Sequence, residues 1–323
     1  MSDKQRKTSG VTYVEVDDGR HDQRIDNFLL NHLRGVPRSY IYRILRRGEV
    51  RVNKGRVKAR YRLQEGDSVR IPPVRLPEEK DITKPHEHVL QQLRESVLVD
   101  DKRLLALNKP AGIAVHGGSG LSYGVIEALR VLRPDDRQLE LAHRLDRETS
   151  GCLLVVKKRS ALRALHELLR TNQVNKRYIA LLAGRWGQNR ADVDAPLLKN
   201  TLQGGERVVR VNANGKQALT RFHVLERFPN ATLVEAKPVT GRTHQIRVHA
   251  AHLGHPILGD DKYGEDKANR AVRDLGLRRL FLHAESLRFR WPDEQQEQYL
   301  KAPIATELQM VLTKLKSKYA KKL

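Results

Sequence analysis

The sequence of 323 residues contains a single cysteine, Cys152, and aromatic residues make up only 5% of it. One cysteine cannot form an internal disulfide, and it excludes a zinc site built from several cysteines. No apolar run approaches the roughly 20 residues that a transmembrane helix needs, and the segment from Met1 to Lys7 is polar, unlike a secretory signal. We therefore expect a cytoplasmic protein with no membrane partner.

Acidic residues are scarce relative to basic ones. The chain has 61 Lys and Arg against 38 Asp and Glu, a formal net charge of +23, and its pI is about 10.3. Such an excess favours a polyanionic partner, nucleic acid before a membrane surface. The length suits two domains.

Motifs for metals and nucleotide cofactors are also missing. The glycine-rich segment 117–120 lacks the G-K-[ST] ending of a phosphate-binding loop, and no G-x-G-x-x-G spacing occurs. Four histidines lie between His244 and His255, but the H-E-x-x-H pattern of metalloproteases is absent. We therefore expect neither a metal site nor a nucleotide cofactor, and read the glycine segment as a flexible loop.

The N-terminal region predicts a small helical unit with a basic surface. Apolar residues recur at helical spacing from Ile25 to Leu33, and a second helix would bury Ile41, Ile44 and Leu45. The arginines of that second helix, Arg38, Arg43, Arg46 and Arg47, project away from the buried face. Alternating segments around Val52 and Val69 then predict short strands. Residues 1–21 read as a flexible tail with one short strand, 22–80 as a domain, and 81–95 as a proline-containing linker.

The central feature of residues 96–323 is a polar string, 142–151, followed at once by the apolar run 152–156. A short apolar run after glycine predicts a buried strand, so Asp146 lies near the point where a loop enters the core. Arg144 and Arg147 flank it, and nearby cations favour the charged form of a carboxylate. By itself this pattern is more typical of a solvated turn with a structural ion pair than of a catalytic group.

Four motifs together resemble the RluA-type pseudouridine synthase family. The string H-R-L-D-R-E-T-S-G at 143–151 resembles the catalytic-aspartate motif of that family. Lys176, Tyr178 and Ala180 fit its K-x-Y-x-A motif, G-R-T-H-Q-I-R at 241–247 fits its arginine motif, and L-N-K-P at 107–110 fits a segment beside its cleft. Residues 22–72 resemble the alpha-L RNA-binding motif, with matches at 24–26, 48, 50, 52–53 and 66–67.

The resemblance implies a fold and an activity. The expected fold is α+β, with the small alpha-L domain linked to a domain built on a mixed or antiparallel β-sheet with flanking helices. The expected reaction isomerises specific uridines of large-subunit (23S) ribosomal RNA to pseudouridine. Asp146 would act as nucleophile or proton acceptor, Tyr178 would lie against the base and could take a sugar proton, and Arg247 would pair with Asp146. No cofactor is implied, and we expect a monomer.

RNA contacts are expected from basic side chains of both domains, because phosphates dominate the affinity of nucleic-acid binding. The candidates are Arg38, Arg43, Arg46, Arg47, Lys54, His143, Arg144, Arg147, Arg242 and His244. Two other functions stay open at this point. A non-catalytic RNA-binding factor for ribosome assembly could keep the same fold, and an RNA methyltransferase could carry the same N-terminal domain, although no glycine-rich cofactor loop follows a strand.

Overall fold

The computed structural model describes residues 6–7, 10–17, 20–33, 36–76, 85–117, 122–136, 138–201 and 207–320. The chain divides into two compact units, Met1–Lys84 and Pro85–Leu323. None of the described helices is both long and apolar enough to cross a bilayer. Part of the predicted glycine loop, 118–120, and the first part of the predicted linker, 81–84, lie outside the described residues.

The first unit combines short strands with two helices. Its elements are β1 (Arg6–Lys7), β2 (Thr12–Glu15), α1 (Ile25–His32), α2 (Arg38–Arg47), β3 (Arg51–Val52), β4 (Gly55–Arg56), β5 (Ser68–Ile71) and β6 (Arg75–Leu76). Four strands form an antiparallel sheet in the order β2-β5-β3-β4, and β1 pairs with β6. The two predicted helices and the strands around Val52 and Val69 are confirmed.

The apolar periodicity explains both helices. Ile41, Ile44 and Leu45 of α2 are buried, as predicted, and they share a core with Ile25 and Leu29 of α1. Helix α2 ends where Gly48 adopts φ 70°, a left-handed conformation that glycine takes without a steric penalty.

The one short strand expected within residues 1–21 is β2, Thr12–Glu15. Strand β2 pairs along its length with β5, and the next residue, Val16, is 1% exposed and donates its N–H to the Asp67 carbonyl. The strand was only partly visible in the sequence because none of its residues is fully buried.

The second unit is built around one large sheet. Its elements are α3 (Glu87–Glu95), β7 (Val97–Asp100), β8 (Leu104–Lys109), α4 (Val125–Leu132), β9 (Glu140–Leu141), β10 (Ser150–Val156), α5 (Arg159–Arg170), β11 (Asn175–Ala183), β12 (Arg190–Asp194), β13 (Leu197–Thr201), β14 (Arg207–Val211), β15 (Leu219–Phe228), β16 (Ala231–Pro238), α6 (Gln245–His252), α7 (Asp266–Arg273), β17 (Leu282–Arg290), β18 (Glu297–Lys301) and α8 (Thr306–Ala320). Strands β13 and β14 form a separate hairpin.

The large sheet is mixed, and helices cover both of its faces. The strand order is β12-β15-β16-β11-β17-β10-β8-β7, with β18 on β17 and β9 on β10. Among the described strands of this sheet, only β10 and β17 pair in parallel. Alternate residues of β10 meet α5 on one face and α3 with α4 on the other, which is why its sequence is a continuous apolar run. The predicted α+β fold with a mixed sheet is confirmed.

Helix α3 lies inside the range 81–95 that the sequence assigned to a linker. Its residues Val89, Leu90 and Leu93 are buried against α4 and the sheet. The prolines before residue 86 made the segment look like a spacer, but the apolar residues after it recur at helical spacing. The second unit accordingly begins at Pro85 rather than at residue 96.

Candidate active site

Asp146 lies in the loop between β9 and β10, with its side chain 25% exposed. Hydrogen bonds to Gly112 and within the loop hold its backbone in place. Gly112 donates its N–H to the Arg147 carbonyl at 2.9 Å, and the Arg147 Nε donates back to the Gly112 carbonyl, also at 2.9 Å. The Asp146 carbonyl accepts the Thr149 N–H at 3.1 Å. The carboxylate is thus presented by a loop with a fixed backbone.

Lys109, at the end of β8, stabilises the same loop through hydrogen bonds to backbone carbonyls. The side chain is fully buried, and its Nζ donates to the carbonyls of Pro110, Ile113 and Arg147 at 2.7, 2.8 and 3.1 Å. Burial lowers the pKa of Lys109 to about 7, although the charges of Glu148 and Asp146 act in the opposite direction. The L-N-K-P segment therefore positions the backbone next to Asp146.

The far end of the loop rests on β17. Ser150 Oγ lies 2.9 Å from His283 Nδ1 and accepts a bond from Arg279 Nη2 at 3.1 Å. Gly151 adopts φ 110°, and a Cβ there would lie 2.2 Å from the Ala284 carbonyl oxygen. Only glycine allows this approach of the two strands. Tyr178 pairs with the same residue, Ala284, from the other side of β17.

Arg247 reaches Asp146, but its principal partner is a different carboxylate. Arg247 Nη1 lies 3.4 Å from Asp146 Oδ2. Its Nε and Nη2 form two bonds of 2.7 Å to the carboxylate of Asp260. Such a two-pronged pair is strong and directional. Arg247 is therefore held by Asp260 while one nitrogen faces Asp146.

Asp260 was not identified from the sequence. Its side chain is fully buried, and Oδ1 also accepts the N–H groups of Lys262 and Tyr263 at 2.9 and 3.0 Å. Burial would raise the pKa of Asp260, but the bond and charge of Arg247 outweigh it and hold the pKa below its usual range. The run G-D-D-K-Y-G at 259–264 places two acidic residues soon after the arginine motif. Nothing in that run indicates which arginine they would contact.

His244 is the second neighbour of Asp146, with Nε2 3.9 Å from Asp146 Oδ1. Its Nδ1 lies 2.7 Å from the Tyr263 hydroxyl, which itself accepts the Val209 N–H at 3.1 Å. A hydroxyl donates one hydrogen bond and accepts two, so the contact with Tyr263 fits either tautomer of His244. Burial lowers the pKa of His244, while the Asp146 charge opposes that effect. A neutral ring is then expected near neutral pH.

Tyr178 lies on β11 and packs against the cluster that contains Leu145 and Ala284. Burial raises the pKa of its phenol well above the usual range, and the charge of Asp146 raises it further. Both effects show that the two side chains share one site. Burial and the Asp146 charge thus favour the protonated phenol, and the role of Tyr178 as acceptor of a sugar proton stays a prediction.

The candidate RNA-binding residues of the second unit fall into two groups. Arg144, Arg147 and Arg242 are exposed, although Arg242 Nε also donates to the Gln217 carbonyl at 3.0 Å. His143 is different: its Nε2 accepts the Leu154 N–H at 3.1 Å, and burial lowers its pKa to about 4. A neutral ring already bonded to β10 does not supply a cation for phosphate. Its position supports a role in holding the loop instead.

In the first unit, the candidate cations lie on the surface. Arg38, Arg43, Arg46 and Arg47 of α2 and Lys54 of the β3–β4 turn are all exposed. Arg43 stacks over the ring of Tyr40 at 4.5 Å, and Arg47 lies 3.8 Å from Glu49. These weak surface contacts leave the guanidinium groups accessible to an anion.

The histidines near α6 have structural partners. His249 places Nδ1 2.9 Å from Thr220 Oγ1 and Nε2 3.0 Å from the Ala195 carbonyl. His255 Nδ1 lies 2.8 Å from the Ala183 carbonyl. Within the described part of the chain, no group of three or more His, Cys, Asp or Glu side chains could hold a metal ion.

The fold and the site together are those of an enzyme acting on nucleic acid. Residues 103–252 match the family model described as RNA pseudouridylate synthase, and residues 23–69 match the S4 domain. Proteins named ribosomal large subunit pseudouridine synthase C from Haemophilus ducreyi and Escherichia coli K12 are 53% and 54% identical. The alignments cover 98% and 96% of this chain, and 99% and 98% of those proteins.

A solved structure agrees with these matches. Human RNA pseudouridylate synthase domain containing 4 is 30% identical, with a TM-score of 0.59, over 71% of this chain and 96% of that one. The chain therefore belongs to the RNA pseudouridylate synthase family and is a pseudouridine synthase with an N-terminal S4 domain. The family resemblance inferred from the motifs is confirmed.

Proposed function

We propose that this enzyme converts specific uridines of large-subunit (23S) ribosomal RNA to pseudouridine, in the cytoplasm and as a monomer. The observation that carries the proposal is the half-buried Asp146 carboxylate beside Arg247 in a chain 53% identical, over 98% of its length, to a protein named for that reaction. The reaction breaks the bond between the sugar and base nitrogen 1, turns the base, and joins the sugar to base carbon 5. Base nitrogen 1 gains a proton and carbon 5 loses one, so no redox partner or external group is required.

Asp146 is the group proposed to act on the sugar. A carboxylate can attack an electron-poor sugar carbon, as in glycosidases, or it can accept a proton from the sugar. Arg247 Nη1 lies 3.4 Å from this carboxylate, so a cation faces the group proposed to react. His244 Nε2 lies 3.9 Å from the other oxygen of the same carboxylate.

Tyr178 is proposed to pack against the target base. The base must leave its stack to reach Asp146, which costs a few kcal/mol. An aromatic ring in the same site offsets part of that cost through stacking. The protonated phenol can donate a hydrogen bond to that base. Phosphate contacts of the arginines on α2 and of Arg144, Arg147 and Arg242 would supply further binding free energy.

The direct test is to map pseudouridines in large-subunit ribosomal RNA from cells with and without the gene, and in transcripts treated with pure protein. We expect specific sites to disappear without the gene and to return in vitro. Isomerisation leaves the RNA mass unchanged, whereas a methyltransferase would add one methyl group. Normal pseudouridine maps together with an assembly defect would instead indicate the non-catalytic assembly factor.

A further inference from the structure

Lys176 is the first residue of the K-x-Y-x-A motif and has no part in the reaction proposed above. It precedes Tyr178 by two residues on β11, and alternate residues of a strand face the same side. Arg177, between them, faces the other side, where it contacts Glu235, which in turn pairs with Lys237 at 2.9 Å. Lys176 therefore lies on the same side of the sheet as Tyr178.

Three segments of the candidate active site meet at the Lys176 ammonium. Its Nζ lies 4.0 Å from the position that a Cβ on Gly241 would occupy, at the start of the G-R-T-H-Q-I-R segment. It is also close enough to His143 to lower the pKa of that ring by its charge, after burial. The strand rise places its Cα about 6.6 Å from that of Tyr178. These three segments carry Arg247, Asp146 and Tyr178.

The ammonium of Lys176 has no partner within the described residues: no carboxylate lies within 4 Å and no hydrogen bond is formed. Other half-buried or buried lysines of this unit differ, since Lys109 has three carbonyl acceptors and Lys157 contacts Asp100. Burial lowers the pKa of Lys176. Keeping a partly desolvated cation unpaired costs free energy, which an arriving anion would offset.

We propose that Lys176 binds the backbone phosphate of the target nucleotide once its base is turned out beside Tyr178. The inference rests on the proposed function, because RNA is the ligand that brings an anion to this position. A phosphate is the anion that every nucleotide carries, and a lysine ammonium binds it as a compact point charge. The contact would place the sugar of that nucleotide over Asp146.

The test is a scan of neutral methylphosphonate linkages through a large-subunit ribosomal RNA fragment, read as binding affinity and as single-turnover rate. With the unaltered protein, we expect one linkage to weaken binding about tenfold, the size of a charged hydrogen bond. Lys176→Met should weaken binding to the all-phosphate RNA by a similar factor. In this variant, a methylphosphonate at that one linkage should cause no further loss of affinity, while its effects at the other linkages stay unchanged. It should also reduce the log–log salt slope by about 1, and Lys176→Arg should keep the interference.

Lys237→Met is the matched control, since it removes the same charge from the opposite side of the sheet. It should leave the interference pattern unchanged. Lys176→Met should unfold at the same or a higher temperature than the unaltered protein, because it removes an unpaired cation. A merely structural lysine would instead lower the unfolding temperature and leave the interference in place.

Three results for Lys176→Met would overturn the assignment. The variant could bind the all-phosphate RNA with unchanged affinity, or it could show the same interference pattern as the unaltered protein. It could also react more slowly by the same factor whichever linkage carries the methylphosphonate. The last would indicate a contact to the base. If the unaltered protein made no pseudouridine in this RNA, the proposed function would fall. The binding scan would still report whether Lys176 contacts phosphate.

Discussion

At the scale of single residues, Asp146 stands between two partners with different properties. Arg247 is a fixed cation that Asp260 holds in place, and His244 is a ring that burial keeps neutral. The Asp146 carboxylate thus lies beside one permanent cation, Arg247, and one ring that can gain or lose a proton, His244. This division suits a group that exchanges a proton or forms a bond during the reaction.

The first prediction concerns Asp146 itself. Asp146→Asn keeps the size of the side chain and removes its charge, so we expect single-turnover isomerisation to be abolished. RNA affinity should stay within about twofold, since the change removes no cation. Pseudouridine formation and filter binding on the same RNA fragment measure both. Substantial turnover by pure Asp146→Asn protein would remove Asp146 from the mechanism.

The second prediction concerns Asp260. Asp260→Asn breaks a buried ion pair on one side only and should lower the free energy of unfolding by about 3–5 kcal/mol at pH 7. Because Arg247 depresses the Asp260 pKa in the folded state, that stabilisation is fully present above the usual value of about 3.9. It is lost as the pH falls through the lower folded value.

Urea unfolding at pH 7 and near pH 3 checks this sign. The difference between the unaltered protein and Asp260→Asn should shrink at the lower pH. The variant should also turn over more slowly, since Arg247 loses its anchor. A constant stability difference at both pH values would contradict the role of the ionised Asp260.

At the scale of elements, the contact between β10 and β17 brings Asp146 and Tyr178 to one place. Gly151→Ala would put a Cβ 2.2 Å from the Ala284 carbonyl oxygen. Strain from that contact and from φ 110° should cost about 2–4 kcal/mol, and activity should fall because the loop moves relative to β11. Gly254→Ala is the control: it shares a positive φ of 76° but has no atom within 4 Å.

The comparison uses unfolding midpoints and single-turnover rates. We expect Gly254→Ala to lose only about 1–2 kcal/mol, the cost of the left-handed conformation, and to keep its rate. Equal losses in both variants would mean that the close approach of β10 to β17 contributes nothing beyond the backbone conformation.

Helix α2 separates a buried face from a basic one. Charge reversal to Glu at Arg43, Arg46 and Arg47 should weaken RNA binding strongly and flatten its salt dependence, because fewer phosphates are neutralised. Unfolding should change little, since the three side chains lie off the face formed by Ile41, Ile44 and Leu45. The matched control reverses Arg270, Arg273 and Arg278, exposed arginines of the second unit. Equal salt slopes for the two triple variants would show a general charge effect rather than a specific surface.

At the scale of the whole molecule, all proposed catalytic residues lie in the unit that begins at Pro85. Deleting residues 1–84 should therefore weaken RNA binding and reduce its salt slope, while single-turnover isomerisation of a saturating RNA fragment persists. Affinity across a salt series and rates at saturation measure the two effects separately. A lost rate with normal binding would mean that the first unit helps to build the active site.

Much of this arrangement was predictable from the residues, because local patterns carry it. Apolar spacing identified α1 and α2, the continuous apolar run identified β10, and the motifs indicated Asp146, Tyr178 and Arg247. The prediction was wrong at α3, which the sequence assigned to a linker. There, a preceding group of prolines hid a helix that packing stabilises.

By itself, the sequence determined the family, the net charge and the residue types offered for chemistry, since those depend on order and composition alone. Only the tertiary structure decided which partners these residues have. Asp260 holds Arg247, His143 accepts a hydrogen bond from Leu154, and Lys176 stands unpaired in the described site. Charge state and hydrogen bonding depend on burial and on neighbours distant in sequence, and folding alone brings those together.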